Sequence, residues 1–373
     1  MQTNHYKFSE IAINFDKKRI PLSAMEREKR KGEYRYYGAQ GIIDYIDDYI
    51  FDGKYLLIAE DGENLKSNKQ NIAQIVNGKF WVNNHAHIIQ TNDKCNIDYL
   101  NYYLNSTDIS GYITGSAQPK LSQANLNNID LVLPDIKIQE KITSILLTID
   151  EKIAINNATN NNLEQQAFAL FNNKFESIND GNMTIGDYIK PKRGKNLLSK
   201  DAIYGDVPVV AGGLSPATYH NVSNTTAPVI TISASGANAG YVNLWHIPVW
   251  SSDSSFIDYD MTKNVYFWYV LLKKRQQEIF DSQTGSAQPH IYPQHIEVMP
   301  LSEINQEEIN IYTQRVTPLF KLIGHNLREN TRLIELRDTL LPKLMSGEID
   351  VSNVDISTDK LSFSENNTGG KNG

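Results

Sequence analysis

Pro134-Asp135 and, further on, Asp150-Glu151-Lys152 supply the residue types of a metal-dependent nuclease. In that chemistry two carboxylates hold a divalent cation and a lysine stands beside them. The carboxylates must converge from neighbouring strands. Here Asp150 lies in a stretch with helical periodicity, about 22 Å from Asp135 at helical rise, so the two do not close on one ion. His85 and His87 share one face of a strand but have no third ligand near them. A structural or DNA-facing role suits them better than a metal. Gly-Lys occurs at 53, 78, 194 and 370, never followed by Ser or Thr, so the loop that cradles a nucleotide phosphate is missing. No Pro-Pro dipeptide is present, and with it goes the loop an adenine methyltransferase uses to hold its flipped base. The glycines of GAQG (38–41) and GANAG (236–240) lack a strand–turn–helix phosphate context and suit close backbone approach. The sequence thus offers no catalytic residue and no metal set, and its function is sought in binding.

The chain has 373 residues, enough for two ordinary domains, and 40% hydrophobic residues, enough for real cores. The single cysteine, Cys95, excludes a disulfide framework and fits a reducing cytosol. No secretory signal and no membrane-length apolar run is visible, so a cytoplasmic protein is expected. A net charge of −7 argues against a general nucleic-acid coat but leaves room for a local basic face. Short basic runs lie at 17–19, 26–31 and 190–195.

What positions these residues is an internal repeat. The hexapeptide TGSAQP stands at 114–119 and again at 284–289, an offset of 170. At the same offset two helical seams coincide in phase. One runs Ile142, Leu146, Ile149, Ile153, Asn156, Asn160, Leu163, Ala167, Leu170; the other runs Tyr312, Val316, Leu319, Ile323, Asn326, Asn330, Leu333, Arg337, Leu340. Each is coiled-coil-like and interrupted by Asn at the same two places, which fixes register and orientation at a cost in stability. Upstream, RYYGAQG (35–41) faces PVVAGGL (208–214), and FWVNNHAHII (80–89) faces PVWSSDSSFI (248–257). The predicted fold class is α+β: two mixed α/β domains separated along the chain by two long antiparallel coiled-coil helices, in a pseudo-two-fold repeat. Pro318, inside the second helical pattern, predicts a kink or a fresh start. A helix of roughly 35 residues reaches about 50 Å, on the order of one and a half turns of duplex at ~34 Å per turn.

The order domain–helix–domain–helix, with YRYYGAQGIIDYI and TISASGANAGYVN in the domains, GSAQPKL closing the first and LRDTLLPKLMSGEIDV closing the second helix, resembles the DNA-specificity subunit of type I restriction–modification systems. The resemblance implies target-recognition domains at 1–134 and 177–300, a central spacer helix at 135–176, a C-terminal spacer helix at 301–350 and a disordered tail at 351–373. It implies a non-catalytic subunit. Each domain would read one half of a bipartite, asymmetric site in double-stranded DNA. The helices would set the spacer and dock two methyltransferase subunits, and motor-nuclease subunits would join. No cofactor is implied on this chain; S-adenosylmethionine belongs to the methyltransferase partners. One departure is HIYPQHIEVMP (290–300), four residues shorter than KLSQANLNNIDLVLP (120–134). A scaffold or antagonist with the same fold that does not read DNA is the alternative.

If the halves read different sequences, what they share cannot distinguish bases, and the differing polar residues are the candidates. In the first domain these are Lys31, Arg35, Tyr37, Gln40, Lys66, Lys69 and Lys120; in the second, Lys192, Arg193, Lys195, His220, Asn224 and His290. Arg suits guanine and Gln suits adenine, at ~1–3 kcal/mol of discrimination per bidentate pair, whereas Lys suits phosphate. Asn156, Asn160, Asn326 and Asn330 are assigned to helix register. Leu340, Leu341, Leu344 and Met345 are assigned to partner docking or to internal packing. The hexapeptide reads as a structural or phosphate-contact segment common to both halves.

Overall fold

A computed structural model describes residues 2–67, 70–115, 117–285 and 288–355. Two compact units divide the chain: Met1–Glu151 with Leu333–Gly373, and Lys152–Arg332. Both long helices contribute to both units. The first spans Ile136–Phe175 and the second Gln306–Ser346.

In the first unit, strands β1 (Thr3–Lys7), β2 (Ala12–Asn14), β3 (Lys31–Gly38), β4 (Gly41–Ile46), β5 (Phe51–Asp52), β6 (Tyr55–Ala59), β7 (Ala73–Val76), β8 (Lys79–Val82), β9 (Ala86–Thr91) and β10 (Asp130–Pro134) form three sheets. Their orders are β1-β10, β2-β9-β6-β7 and β4-β3-β8-β5. YLLIA of β6 is apolar at every position because it is a central strand covered on both faces. The helix Ile97–Ser106 begins at Asn96, whose side chain accepts from the Asp98 and Tyr99 amides. Buried Gln139 fastens the first long helix to this domain, accepting from the Asn96 amide (2.9 Å) and donating to the carbonyls of Lys94 (3.1 Å) and Pro134 (2.9 Å).

The second unit repeats this plan with β11 (Met183–Thr184), β12 (Lys192–Arg193), β13 (Val207–Val210), β14 (Thr218–His220), β15 (Val229–Ser233), β16 (Val242–Trp245), β17 (Trp250–Ser251), β18 (Ser254–Asp258) and β19 (Pro300–Leu301). The orders are β11-β19, β12-β18-β15-β16 and β14-β13-β17. Strand for strand these match the first unit, including the parallel pairings β3–β8 and β13–β17; β5 has no counterpart among the described residues. The expected four-residue shortening is a correction: the helices Gln123–Asn127 and Pro293–Glu297 correspond, Lys120 to Ile136 and His290 to Gln306 are equally long, and β19 differs from β10 only in having fewer residues paired as a strand. The helix Val265–Lys274 is buried from Val265 to Leu272. It is apolar all round because the sheet and both long helices cover it. Phe171 and Phe175 of the first long helix, Phe267, and Tyr312 of the second pack ring on ring at 5.1–6.1 Å.

The helices run antiparallel where they pair. Asn156 Nδ2 donates to Asn330 Oδ1 at 2.8 Å, and Asn326 Nδ2 to Asn160 Oδ1 at 2.8 Å. The α+β class, the duplicated domains and the paired antiparallel helices are those expected from the sequence. No fresh start occurs at Pro318: the second helix is continuous from Gln306 to Ser346. Pro318 and Gln314, whose carbonyl loses its amide partner to the proline, are both exposed, where water can replace the lost bond. Leu344 and Val351 are buried in the first unit's core, with Leu340, Leu341 and Met345 packed against it. Lys141 Nζ reaches the Ser352 carbonyl at 2.7 Å. Among the described residues no helix is long and apolar enough to cross a membrane.

Candidate nucleic-acid interface

The hexapeptides are best understood from the backbone outward. Thr114 and Lys120 exchange amide–carbonyl bonds at 2.9 and 2.8 Å; Thr284 and His290 do the same at 3.0 and 2.8 Å. Each pair closes a tight loop. Gly115 (φ +83°) and Gly285 (φ +93°) take the left-handed conformation within it, and a Cβ on either would lie 2.1 Å from Gln118 O or 2.5 Å from Gln288 O. The loop is pinned to the turn after the central strand. The Leu121 amide donates to Glu60 O (2.8 Å) and the Ile291 amide to Ala234 O (2.9 Å). The Gly62 amide meets Pro119 O (3.4 Å) and the Gly236 amide Pro289 O (3.1 Å). A third segment joins through the Glu60 amide to His85 O (2.9 Å), or the Ala234 amide to Asp253 O (3.1 Å). The two units therefore build one backbone frame twice, bond for bond.

On that frame the side chains differ. In the first unit His85 Nδ1 lies 2.7 Å from Asp61 Oδ2, and Lys120 Nζ lies 3.4 Å from Glu60 Oε1. Glu60 also receives Arg19 at 2.8 Å. In the second unit Asp253 takes a very short hydrogen bond from Ser235 Oγ and pairs with Arg193 at 2.5 Å, while the His290 ring stacks on Tyr292 at 6.0 Å. Behind the first frame, buried His87 bridges Asp16 Oδ2 (2.6 Å) and the Leu121 carbonyl (2.8 Å). Burial opposes the Asp16 charge, but hydrogen bonds from His87 and the Ile88 amide prevail and hold its carboxyl below the usual range. His87 is thus a structural residue of the loop's underside, whereas His85 faces outward.

The sequence candidates divide accordingly. Lys120 and Gln40 come together at the first frame; Gln40 is exposed, with its Nε2 3.4 Å from where a Cβ on Gly62 would sit. Arg193 and His290 come together at the second, with Lys192 and Lys195 exposed on the same segment as Arg193. Lys31, at the far end of β3, is bound to Asp44 (2.9 Å) and Glu28 (3.2 Å), and the Asp44 hydrogen bond raises its ammonium above the usual value. Arg35 lies over the Tyr37 ring at 5.7 Å and hydrogen-bonds the Asn77 carbonyl. Lys66 is exposed on the short helix Asn64–Ser67, and Lys69 lies outside the described residues.

Three candidates are consumed by the fold. Tyr37 is buried against Phe80 at 5.8 Å, and burial raises its phenol above the usual value. His220 is buried and its Nδ1 accepts the Ile203 amide at 3.0 Å. Asn224 acts as a strand partner, its amide side chain accepting from Ser251 N (2.7 Å) and donating to Ser251 O (2.9 Å). Residue type alone suggested recognition for all three; their partners come from distant segments. Conversely the residue types of Asp61, Ser235 and Asp253 do not by themselves mark them as frame residues. The signal lay in the repeat, which already set His85 over Asp253.

Asp150 takes part in no metal group. It accepts from Tyr102 Oη (2.5 Å) and pairs with Arg337 (2.9 Å), and Asp135 meets Asn4 (3.3 Å). Among the described residues no three His, Cys, Asp or Glu side chains are grouped as metal ligands. Beyond the helix seam, Ile155, Ile311, Leu322 and Leu327 are exposed on the second unit's helices, and Ile334 and Leu336 on the first's.

Residues 4–165 match the type I restriction modification DNA specificity domain. A Haemophilus influenzae protein assigned as a type I restriction enzyme specificity subunit is 30% identical over 212 residues, 53% of this chain and 53% of that protein. The match to this relative thus spans about half its length. A Methanocaldococcus jannaschii type I restriction enzyme specificity subunit is 24% identical over 305 residues, 68% of this chain and 69% of the relative. The crystal structure of the S subunit of the type I restriction–modification system of M. genitalium shares the fold, with a TM-score of 0.64, 17% identity, and coverage of 92% of this chain and 96% of that one. The sequence similarity to type I DNA specificity domains thus lies in residues 4–165, and the M. genitalium S subunit shares the fold over most of the chain.

Proposed function

We propose that this chain, as a relative of the type I specificity subunits, is the sequence-reading component of a type I restriction–modification complex and carries no catalysis of its own. Each domain reads one half of a bipartite, asymmetric site in double-stranded DNA. The observation that carries this reading is the duplicated frame: one backbone, built twice, presenting different polar side chains in each unit. Shared backbone serves position and differing side chains serve selection.

The paired helices set the spacer between half-sites and dock two methyltransferase subunits, with S-adenosylmethionine on those partners and none on this chain. Helices of 40 and 41 residues support this, since about 60 Å of rod at helical rise is long enough to span more than one turn of duplex. Partner contact falls to the outward apolar residues such as Ile311, Leu322 and Leu327. Leu344 is committed to the core, and its neighbours Leu340, Leu341 and Met345 are half-withdrawn onto it. Motor-nuclease subunits complete the assembly.

The test is methylome sequencing of cells expressing the chain with its methyltransferase. A bipartite methylated motif is expected, and exchange of residues 1–134 for those of a relative changes one half of it. A change in both halves, or no motif, overturns the reading; a complex that assembles but methylates no defined sequence would point to a scaffold or antagonist.

A further inference from the structure

We infer that three frame positions set the base preference of each unit: Asp61, His85 and Lys120 in the first, and their counterparts Ser235, Asp253 and His290 in the second. This deepens the DNA-reading proposal and rests on it.

The counterparts are assigned by the backbone. Glu60 and Ala234 each accept the amide that follows the loop and each donate to the carbonyl of the third segment. Asp61 and Ser235 come next in sequence, His85 and Asp253 own those carbonyls, and Lys120 and His290 close the loops. Five equivalent backbone bonds thus hold three side chains in the same places twice. None of the three is the same residue in the two units, whereas the hexapeptide between them is identical.

The chemistry also differs in the way base edges can sense. The first set offers a carboxylate, an imidazole bound to it through Nδ1 and an ammonium, with side chains 36%, 50% and 54% exposed. The second offers a hydroxyl, the carboxylate to which it donates and which also holds Arg193, and an imidazole stacked on exposed Tyr292. Acceptor- and donor-rich sets of this kind distinguish base pairs in the major groove. A rigid frame keeps them aimed before binding. Other differing candidates are less free to do so: His220 and Asn224 already spend their polar atoms on backbone partners.

The experiment transplants one set into the other unit of the full chain, in complex with its methyltransferase: Asp61→Ser, His85→Asp and Lys120→His together. Methylome sequencing and gel-shift against the original motif are read side by side, with a thermal melt as the folding check. The first unit's half of the motif should change at one or more positions while the other half stays. Affinity for the original motif should fall about ten-fold or more. Unchanged methylation and unchanged affinity for the original motif overturn the inference, and so does a change confined to the other half. If the triple variant melts early, Lys120→Ala, which leaves every backbone bond of the frame in place, decides on the same two readouts. A wild-type complex with no methylated motif sinks the underlying DNA-reading proposal instead, before any variant is compared.

Discussion

The side-chain amide of Asn156 lies between two acceptors on the opposite helix, 2.8 Å from Asn330 Oδ1 and 2.8 Å from Glu329 Oε2. Its own oxygen accepts Lys152 Nζ at 3.1 Å, and Asn330 passes its donor on to Asn157 Oδ1 at 2.8 Å. The polar interruption of the seam is therefore a connected network with Asn156 and Asn330 at its buried centre. A slip of the helices would strand its members among apolar neighbours, at the cost of their hydrogen bonds.

Asn330→Leu alone should cost about 1–3 kcal/mol, since it leaves Asn157 and part of Asn156 unmatched. The double change Asn156→Leu with Asn330→Leu should cost less than the two single changes summed, because two apolar side chains satisfy one another. A double-mutant cycle by urea unfolding measures the coupling. Strict additivity would show that the two amides do not act as a pair.

The phase of this seam was legible before any coordinates, because a 3.5-residue period constrains every residue of a long helix at once. Burial of single loop and strand residues was not. Tyr37, His220 and Asn224 have the types of recognition residues, yet each finds its partner across distant sequence, in Phe80, Ile203 and Ser251. The frame was half legible: the repeated hexapeptide marked it, but its flanks come from three separated segments that only the sheet brings together. The helix passes Pro318 without a fresh start for a different reason. Periodicity reports which face a residue occupies, and on the exposed face a lost backbone bond is made good by water.

Gly324 shows a helix position dictated by its neighbour. A Cβ there would lie 2.8 Å from both Cβ and Cγ of His246. The helix can approach only because that side chain is absent. Gly324→Ala gains helix propensity of roughly 1 kcal/mol but must push the half-buried His246 ring aside, and overpacking of this kind costs about 1–3 kcal/mol. A net lowering of the melting temperature is expected. Adding His246→Ala should restore it, and a Gly324→Ala variant as stable as the parent would refute the close approach.

His246 itself carries a pH dependence. Burial, with Arg328 adding like charge, lowers its imidazole from 6.5 to about 4. The folded chain therefore resists a proton that the unfolded chain accepts. Stability is intact above pH 6.5 and is lost as the pH falls from there towards 4, by about 3 kcal/mol at most. Below 4 this contribution no longer changes. Asp16, whose carboxyl is held low, acts in the same direction but at more acid pH. Unfolding midpoints measured between pH 7 and 4 should therefore slope downward in the parent and flatten in His246→Phe. Parallel slopes would remove His246 as the cause.

The last prediction concerns the residue that most resembled a catalyst. Asp150 receives the Tyr102 hydroxyl at 2.5 Å and Arg337 at 2.9 Å, which ties the first long helix to its domain and to the second helix within one unit. Burial first, and then the neighbouring carboxylate, raise the Tyr102 phenol far above its usual value, so it stays a donor at every physiological pH. Asp150→Ala should cost about 1–3 kcal/mol by leaving the hydroxyl unmatched. The Arg337 contribution is the smaller part, because that pair is partly exposed and screened. Tyr102→Phe should therefore recover little of the loss when combined with Arg337→Ala but most of it when combined with Asp150→Ala. The isolated chain should cut no DNA in the presence of magnesium, with or without Asp150. Cleavage by the parent that disappears in Asp150→Ala, with the fold intact by circular dichroism, would reverse the assignment and make the carboxylate catalytic.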